Sequence, residues 1–207
     1  MSMDSESFGS RRIPQQERSE RLVAELLEAA AAEFAEVGYD AATMKAIAKR
    51  AGASIGAVYQ YFPNKEALAG ALRTQYVTEM EQRWTKLEEA TTGLSVKERT
   101  LRFVDLMIRF MEERPAYVTI MDAPTHSKPD KKTRDWLRER LANIFYTRRP
   151  AVSLEQAYRV ASVALQMIKG MNALYAEVKS RERAEIAKEY KLALATYLEK
   201  RLSTMGE

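Results

Sequence analysis

Apolar residues recur every three or four positions through most of this 207-residue chain, and no stretch shows the strict alternation of a half-buried strand. Leu22, Leu26, Ala29, Ala30 and Phe34 trace one face of a first helix over Gln16 to Val37, and Gly38 stops it. Thr43 reads as the N-cap of a short helix that runs to Ala51 and ends at Gly52. Ser54 caps a third, which must end before Pro63 because proline disfavours helix in the residue ahead of it. Asn64 caps a fourth, with Leu68, Leu72, Tyr76, Met80 and Trp84 in steps of four. Carried to Ala90, that helix is roughly 40 Å long at 1.5 Å per residue. A break at Thr92, Gly93 and Ser95 precedes a fifth helix over Val96 to Glu113 and a short sixth from Pro115. A polar loop from Ala123 to Lys132 leads into a seventh over Thr133 to Tyr146. Ser153 opens an eighth to about Lys179, and the ninth fills Arg181 to Leu202. The pattern predicts an all-α fold of about nine helices.

Composition narrows the chemistry. Hydrophobic residues at 46% supply a sizeable core, and with 30% charged residues they exclude a largely disordered chain. There is no cysteine, which excludes disulfides, thiolate metal sites and cysteine nucleophiles. The single histidine, His126, excludes any two-histidine metal site. It lies in the polar loop with no nucleophile motif or glycine-rich phosphate cradle beside it. The longest uncharged apolar run, Val160 to Ile168, is too short to span a bilayer, and Met1 to Ser10 carries Asp4 and Glu6 without an apolar core. The expectation is a cytoplasmic protein without cofactor, metal or membrane partner, one that binds and does not catalyse.

Two short helices joined at Ala51-Gly52-Ala53 have the form of a helix-turn-helix. Ala46, Ile47, Ala51, Val58 and Phe62 pack them on the first helix, which leaves Ser54, Ile55, Gly56, Ala57, Tyr59, Gln60 and Tyr61 for a partner. Small residues at the start of a helix let its free N–H groups approach phosphate. Tyr59, Tyr61 and Lys65 are candidate phosphate contacts; Lys45 and Gln60 are candidate base readers, suited to guanine and adenine edges.

These residues resemble the TetR/AcrR family of bacterial transcriptional regulators. The likeness is carried by Arg11-Arg12-Ile13-Pro14, Ala29-Ala30, Phe34, Gly38-Tyr39, Thr43, Ile47-Ala48, Ala51-Gly52 and the unbroken run from Ser54 to Leu68, about the first third of the chain. The resemblance implies a DNA-binding domain over residues 1–72, with its helix-turn-helix at 43–62, and a ligand-binding and dimerisation domain over 73–207. It implies double-stranded operator DNA as partner, with contacts at Thr43, Lys45, Ser54, Ile55, Gly56, Ala57, Tyr59, Gln60, Tyr61 and Lys65. Ala53 stands where the family more often has valine, and apolar Ile55 and Ala57 shift weight to thymine methyls, Lys45 and phosphate. Arg11 and Arg12 read equally as a solvated tail or as an arm for the minor groove or phosphate.

Charge placement refines this. Residues 1–70 hold eight basic and ten acidic side chains, a net of −2 within a chain whose total is +4. From Ala41 to Lys65, however, there are four basic residues and no acidic one. The acids of the first helix are expected to face away from DNA.

For the remaining two thirds the resemblance implies a homodimer and a small-molecule inducer. Ala157, Ala161, Ala164, Ile168, Met171 and Tyr175 form a stripe on the eighth helix, and Ile186, Tyr190, Ala193 and Tyr197 one on the ninth. They are candidates for a four-helix dimer interface, or for packing inside one subunit. Trp84, Phe103, Met107, Phe110, Met111, Tyr117, Met121, Trp136, Phe145, Tyr146, Met167, Met171 and Tyr175 are candidates for an adaptable ligand pocket. Arg102, Asp105, Arg109, Asp122 and Asn172 are candidate polar anchors. A repressor released from a palindromic operator by an apolar or flat aromatic inducer is the expected function. The alternatives are an activator, a ligand-independent regulator, or a helical carrier or enzyme for an apolar molecule that has kept the fold without DNA binding.

Overall fold

The computed structural model describes residues 15–124, 131–148 and 153–203. Among them the chain forms α1 (Gln15–Ala41), α2 (Met44–Arg50), α3 (Ile55–Tyr61), α4 (Lys65–Ala90), α5 (Val96–Glu113), α6 (Tyr117–Asp122), α7 (Lys131–Arg148), α8 (Leu154–Glu177) and α9 (Ser180–Ser203). Nine helices and no strand among the described residues agree with the periodicity. Arg11, Arg12 and His126 lie outside the described residues, as do the side chains at 131–134 and 136, among them the pocket candidate Trp136.

Local chemistry accounts for the helix ends. Thr43, Ser54, Asn64, Ser95 and Ser153 each accept a hydrogen bond from the backbone N–H three residues on, and Glu98 and Gln156 complete capping boxes with the two serines before α5 and α8. Gly38 interrupts α1, as expected. At φ 79°, ψ 167°, a conformation open essentially to glycine alone, the helical path stops there, and a separate short turn follows to Ala41. The Ala51-Gly52-Ala53 turn is closed by Gly52 N–H donating to Lys49 O at 3.2 Å and Ala53 N–H to Ala48 O at 3.0 Å, with Gly52 at φ 64°. The remaining bounds shift by about two residues: α7 starts earlier and ends later than expected, and α8 stops at Glu177.

Two apolar cores organise the nine helices. The first gathers Leu26, Ala30 and Phe34 of α1, Ile47 of α2, Val58 of α3, and Leu68 and Leu72 of α4. It does not stop at residue 72. Tyr76 of α4, Phe110 of α5 and Ile120 of α6 belong to the same cluster, so α6 is built into the underside of the helix-turn-helix domain. The Phe110 and Tyr117 rings meet edge to face at 5.1 Å. The second core joins α5, α7, α8 and α9 through Val104, Met107, Phe145, Val160, Ala164, Met171, Leu194 and Leu198. Met80 and Tyr117 touch both.

The stripe Ala157, Ala161, Ala164 and Ile168 therefore faces its own subunit. Each is buried, and each belongs to the second core, so these four do not form an outer dimer surface. Facing the subunit's own core and facing a partner demand the same apolar period, and here the core takes the stripe. The candidates on α9 fare differently: Ala193 is exposed, and Ile186, Tyr190 and Tyr197 are half-buried.

Candidate nucleic-acid interface and distal cavity

Ile47 and Val58 are fully buried, which turns the opposite faces of α2 and α3 outward together. Thr43, Lys45, Ser54, Ile55, Gly56, Tyr59 and Gln60 are exposed there and Ala57 is half-buried. Ile55 and Tyr59 stand 42% and 51% exposed, a large apolar cost for a surface with nothing to cover it. A shallow depression of about 520 Å³ runs between the helices, lined by Thr43, Met44, Lys45, Ala48, Lys49, Ala53, Ile55 and Tyr59. Gly56 has no atom closer than 4.0 Å to where a Cβ would sit, so the start of α3 is open.

The positive charge of this window is partly spent inside the molecule. Lys65 donates to the carbonyls of Tyr39 at 2.7 Å and Asp40 at 3.0 Å, and its ammonium lies 4.5 Å from the centre of the Tyr39 ring. It closes the end of α1, where helix carbonyls lack partners, in place of the expected phosphate contact. Tyr61 is likewise engaged, its hydroxyl 2.9 Å from that of Ser19. Arg50 bonds Glu33 at 3.2 Å and also Glu36, and those hydrogen bonds, Glu36 first, raise its pKa further. The acids of α1 therefore do not all face away, since Glu33 and Glu36 reach the second helix. Lys45 and Lys49 remain, with no ion pair or side-chain hydrogen bond to any described residue. The outward face thus carries two unengaged cations, Tyr59, Gln60 and an accessible helix start.

At the other end of α4 the second core is hollow. A cavity of about 400 Å³ opens between the ends of α4, α5, α7 and α9 and the middle of α8. Trp84, Phe103 and Phe145 line it as expected. Most of the other aromatic and Met candidates do not. Phe110, Tyr117 and Met121 pack against the first core. Met107, Met111, Met167, Met171 and Tyr175 pack elsewhere in the second, and Tyr146 is exposed. Tyr175 donates to Glu112 at 2.8 Å, and burial first, then that carboxylate, pushes its pKa up to about 12. The polar anchors Arg102, Asp105, Arg109, Asp122 and Asn172 are absent from the wall, which carries Glu88 and Arg99 instead. Seven leucines are the commonest residue in the lining, a type too frequent on these helices to have singled out the site.

Arg73 of α4 donates to the carbonyls of Ile120 at 2.6 Å and Ala123 at 2.9 Å, at the end of α6. Higher on α4, Glu79 accepts two bonds from Arg114, at 3.0 and 2.9 Å, while Arg83 bridges Glu79 and Glu113 at 2.6 Å each. One helix thus joins the cavity to the reading helices and is pinned at intervals along its length. Among the described residues, no helix is long and apolar enough to cross a membrane.

Comparisons with known proteins agree with this layout. The sequence model of the bacterial regulatory proteins of the tetR family matches residues 26–72, and that of the tetracyclin repressor-like C-terminal domain matches 97–198. A Bacillus subtilis protein described as an uncharacterized HTH-type transcriptional regulator, YhgD, is 41% identical over 58 residues, a stretch covering 28% of this chain and 30% of that protein. A TetR-family regulator from Streptomyces coelicolor superposes with TM-score 0.63 at 24% identity, over 88% of this chain and 98% of that one. A TetR-family regulator from Mesorhizobium loti gives TM-score 0.57 at 26% identity, over 87% and 96%. A gamma-butyrolactone receptor shares the fold at TM-score 0.54 and 23% identity, over 88% and 98%.

Proposed function

The chain belongs to the TetR family of bacterial regulatory proteins and is a DNA-binding transcriptional regulator; from that premise we propose that it is a homodimeric repressor released from a palindromic operator by a small molecule. The observation that carries this is the helix α4 itself. Its first turns are built into the core of the reading helices and its last turns into the wall of a cavity. A ligand that fills the cavity and favours a tilted α4 moves the reading helices of two subunits away from the spacing of one DNA turn, roughly 34–36 Å. The work needed is small: a coupling of about 1–3 kcal/mol loosens DNA roughly 5- to 150-fold.

In this reading Thr43, Ser54 and Gly56 bring backbone N–H groups to phosphate, Tyr59 adds its hydroxyl, Lys49 pairs with phosphate, and Lys45 and Gln60 read base edges. The protein acts in the cytoplasm and without catalysis. Dimerisation uses the outer faces of α8 and α9. Val163 is 46% exposed there, and a Cβ on Gly170 would meet only the Tyr190 hydroxyl, at 3.6 Å. A close-approaching helix of a second subunit fits beside such a glycine.

The test is a gel shift on DNA flanking the gene, over a salt series, with the stoichiometry measured. Two chains per palindrome are expected, with a salt slope near −2 if Lys49 of both subunits meets phosphate, at about −0.9 each. Gly170→Glu should leave a folded monomer with sharply weakened binding. One chain per site, or binding indifferent to salt, would overturn the proposal.

A further inference from the structure

We propose that the distal cavity takes a flexible amphiphile, a hydrocarbon body ending in a carboxylate, with Arg99 holding the carboxylate. This deepens the reading of the cavity as the ligand site and rests on it.

The wall decides the body of the ligand. Leu87, Leu94, Leu141, Leu165, Leu194 and Leu198 dominate it, and side chains of that kind conform to flexible chains. Two of its three aromatic rings are already engaged, which leaves Phe145. Trp84 and Phe103 are engaged with each other, 5.1 Å apart at a 56° tilt, and the Arg140 guanidinium stands 5.0 Å over the Trp84 ring. A flat aromatic guest would find no pair of free parallel faces, so the expected flat inducer gives way to a flexible one. At ordinary packing density about 400 Å³ holds on the order of 15 non-hydrogen atoms.

An inventory of the polar groups decides the head. Each hydroxyl in the lining has one proton, and each proton is spent. Thr91 donates to Leu87 O at 2.7 Å, Thr92 to Glu89 O at 3.1 Å, Thr100 to Val96 O at 2.8 Å and Ser95 to Glu98 at 2.7 Å. Glu88 pairs through Oε2 with Arg140 at 3.4 Å, while its Oε1 is buried without a partner. Among the described residues Arg99 is the sole cation of the lining, and its guanidinium makes no ion pair or hydrogen bond with any other of them. A guanidinium offers donors in a fork that matches a carboxylate. It also stands one turn inside the start of α5, where the helix dipole favours an anion. A cationic guest would meet Arg99 unshielded.

The experiment titrates the full chain with decanoate, decanol and decylamine by calorimetry, and repeats the titrations with Arg99→Gln and Arg99→Lys. Decanoate should bind at least about tenfold tighter than decanol, as for a hydrogen bond to a charged group, and decylamine weakest. Arg99→Gln should bring decanoate down to the level of decanol and leave decanol unchanged, while Arg99→Lys keeps part of the preference. A purely structural Arg99 would shift all three ligands alike. Equal binding of decanoate and decanol, a preference for decylamine, no saturable binding, or a ratio unmoved by Arg99→Gln would each overturn the proposal. DNA binding is read in parallel on the same samples. Loss of the decanoate preference with DNA binding intact sinks only this assignment, whereas decanoate binding by a chain that ignores DNA sinks the regulator reading and leaves this one standing.

Discussion

The two apolar cores use the same residue types on the same kind of helix, yet one is closed and the other hollow. In the reading domain Leu26, Ala30, Phe34, Ile47, Val58 and Leu68 are all fully buried. Six helices contribute to that cluster, and its outward polar groups are tied back by Lys65, Arg50 and Arg73. In the distal domain the apolar faces of five helices surround a cavity of about 400 Å³. A closed core holds two short helices in one arrangement, which DNA recognition requires, because seven-residue helices have almost no stability of their own. A hollow core leaves dispersion contacts unmade and is stabilised by whatever fills it. Rigidity at one end and unmade contacts at the other, joined by α4, are the ingredients of a ligand switch.

The largest expected effect strikes the closed core. Phe34→Ala removes a fully buried ring stacked 5.6 Å from Tyr39. It should cost about 3–5 kcal/mol, because α1, α2 and α4 cannot collapse onto the void without losing register. Denaturant unfolding measures it, and DNA binding should vanish with it. A loss below about 1 kcal/mol would mean that this core is no tighter than the distal one, and the contrast would fail.

Next comes the outward face of the same core. Lys45→Ala removes an unengaged cation aimed at base edges, and should reduce the preference for operator over random DNA by about 1–3 kcal/mol in competition gel shifts. Lys65→Met separates two roles for one lysine. As the tie between α4 and the end of α1 it should lower the melting temperature by several degrees and leave the salt slope of DNA binding unchanged. A slope reduced by about one per subunit, at constant melting temperature, would restore Lys65 as a phosphate contact.

That lysine also shows what can be read along a chain. The helices, the caps at Thr43, Ser54 and Asn64, the turn at Gly52 and the outward start of α3 were all legible, because each depends on residues within one or two turns of itself. Partners chosen across space were not. Lys65 meets Tyr39 and Asp40 across 26 and 25 positions, and Arg50 meets Glu33 across 17. In a sequence these are only charges in a basic window. The α8 stripe shows the same limit. Its period is identical whether it meets its own core or another subunit, so period alone cannot assign it. Which aromatics line the cavity depends on how side chains from five helices fail to fill a volume, a sum that no single helix carries. Arg99 escaped notice because a lone arginine means something only once its neighbours are shown to have spent their charges.

The smallest expected effect is the sharpest test of the contrast, because it uses one substitution in both places. Ala30 and Ala164 are both buried helical alanines, at 0% and 1% exposure. Leucine is nearly as good a helix former as alanine, so replacing either one changes little in the helix itself. Ala30→Leu adds three carbons to a filled core and should cost about 1–3 kcal/mol through forced side-chain and backbone shifts. Ala164 lines the cavity, so Ala164→Leu has empty space to enter. Its cost should lie within about 0.5 kcal/mol of zero, and a gain in stability is consistent with the same argument, since new contacts replace a void. Operator binding should survive, while calorimetry should show decanoate excluded and gel shifts should show no ligand release. Equal penalties at the two positions would mean that the distal cavity closes in solution, and the molecule would then have two rigid cores and no receptive one.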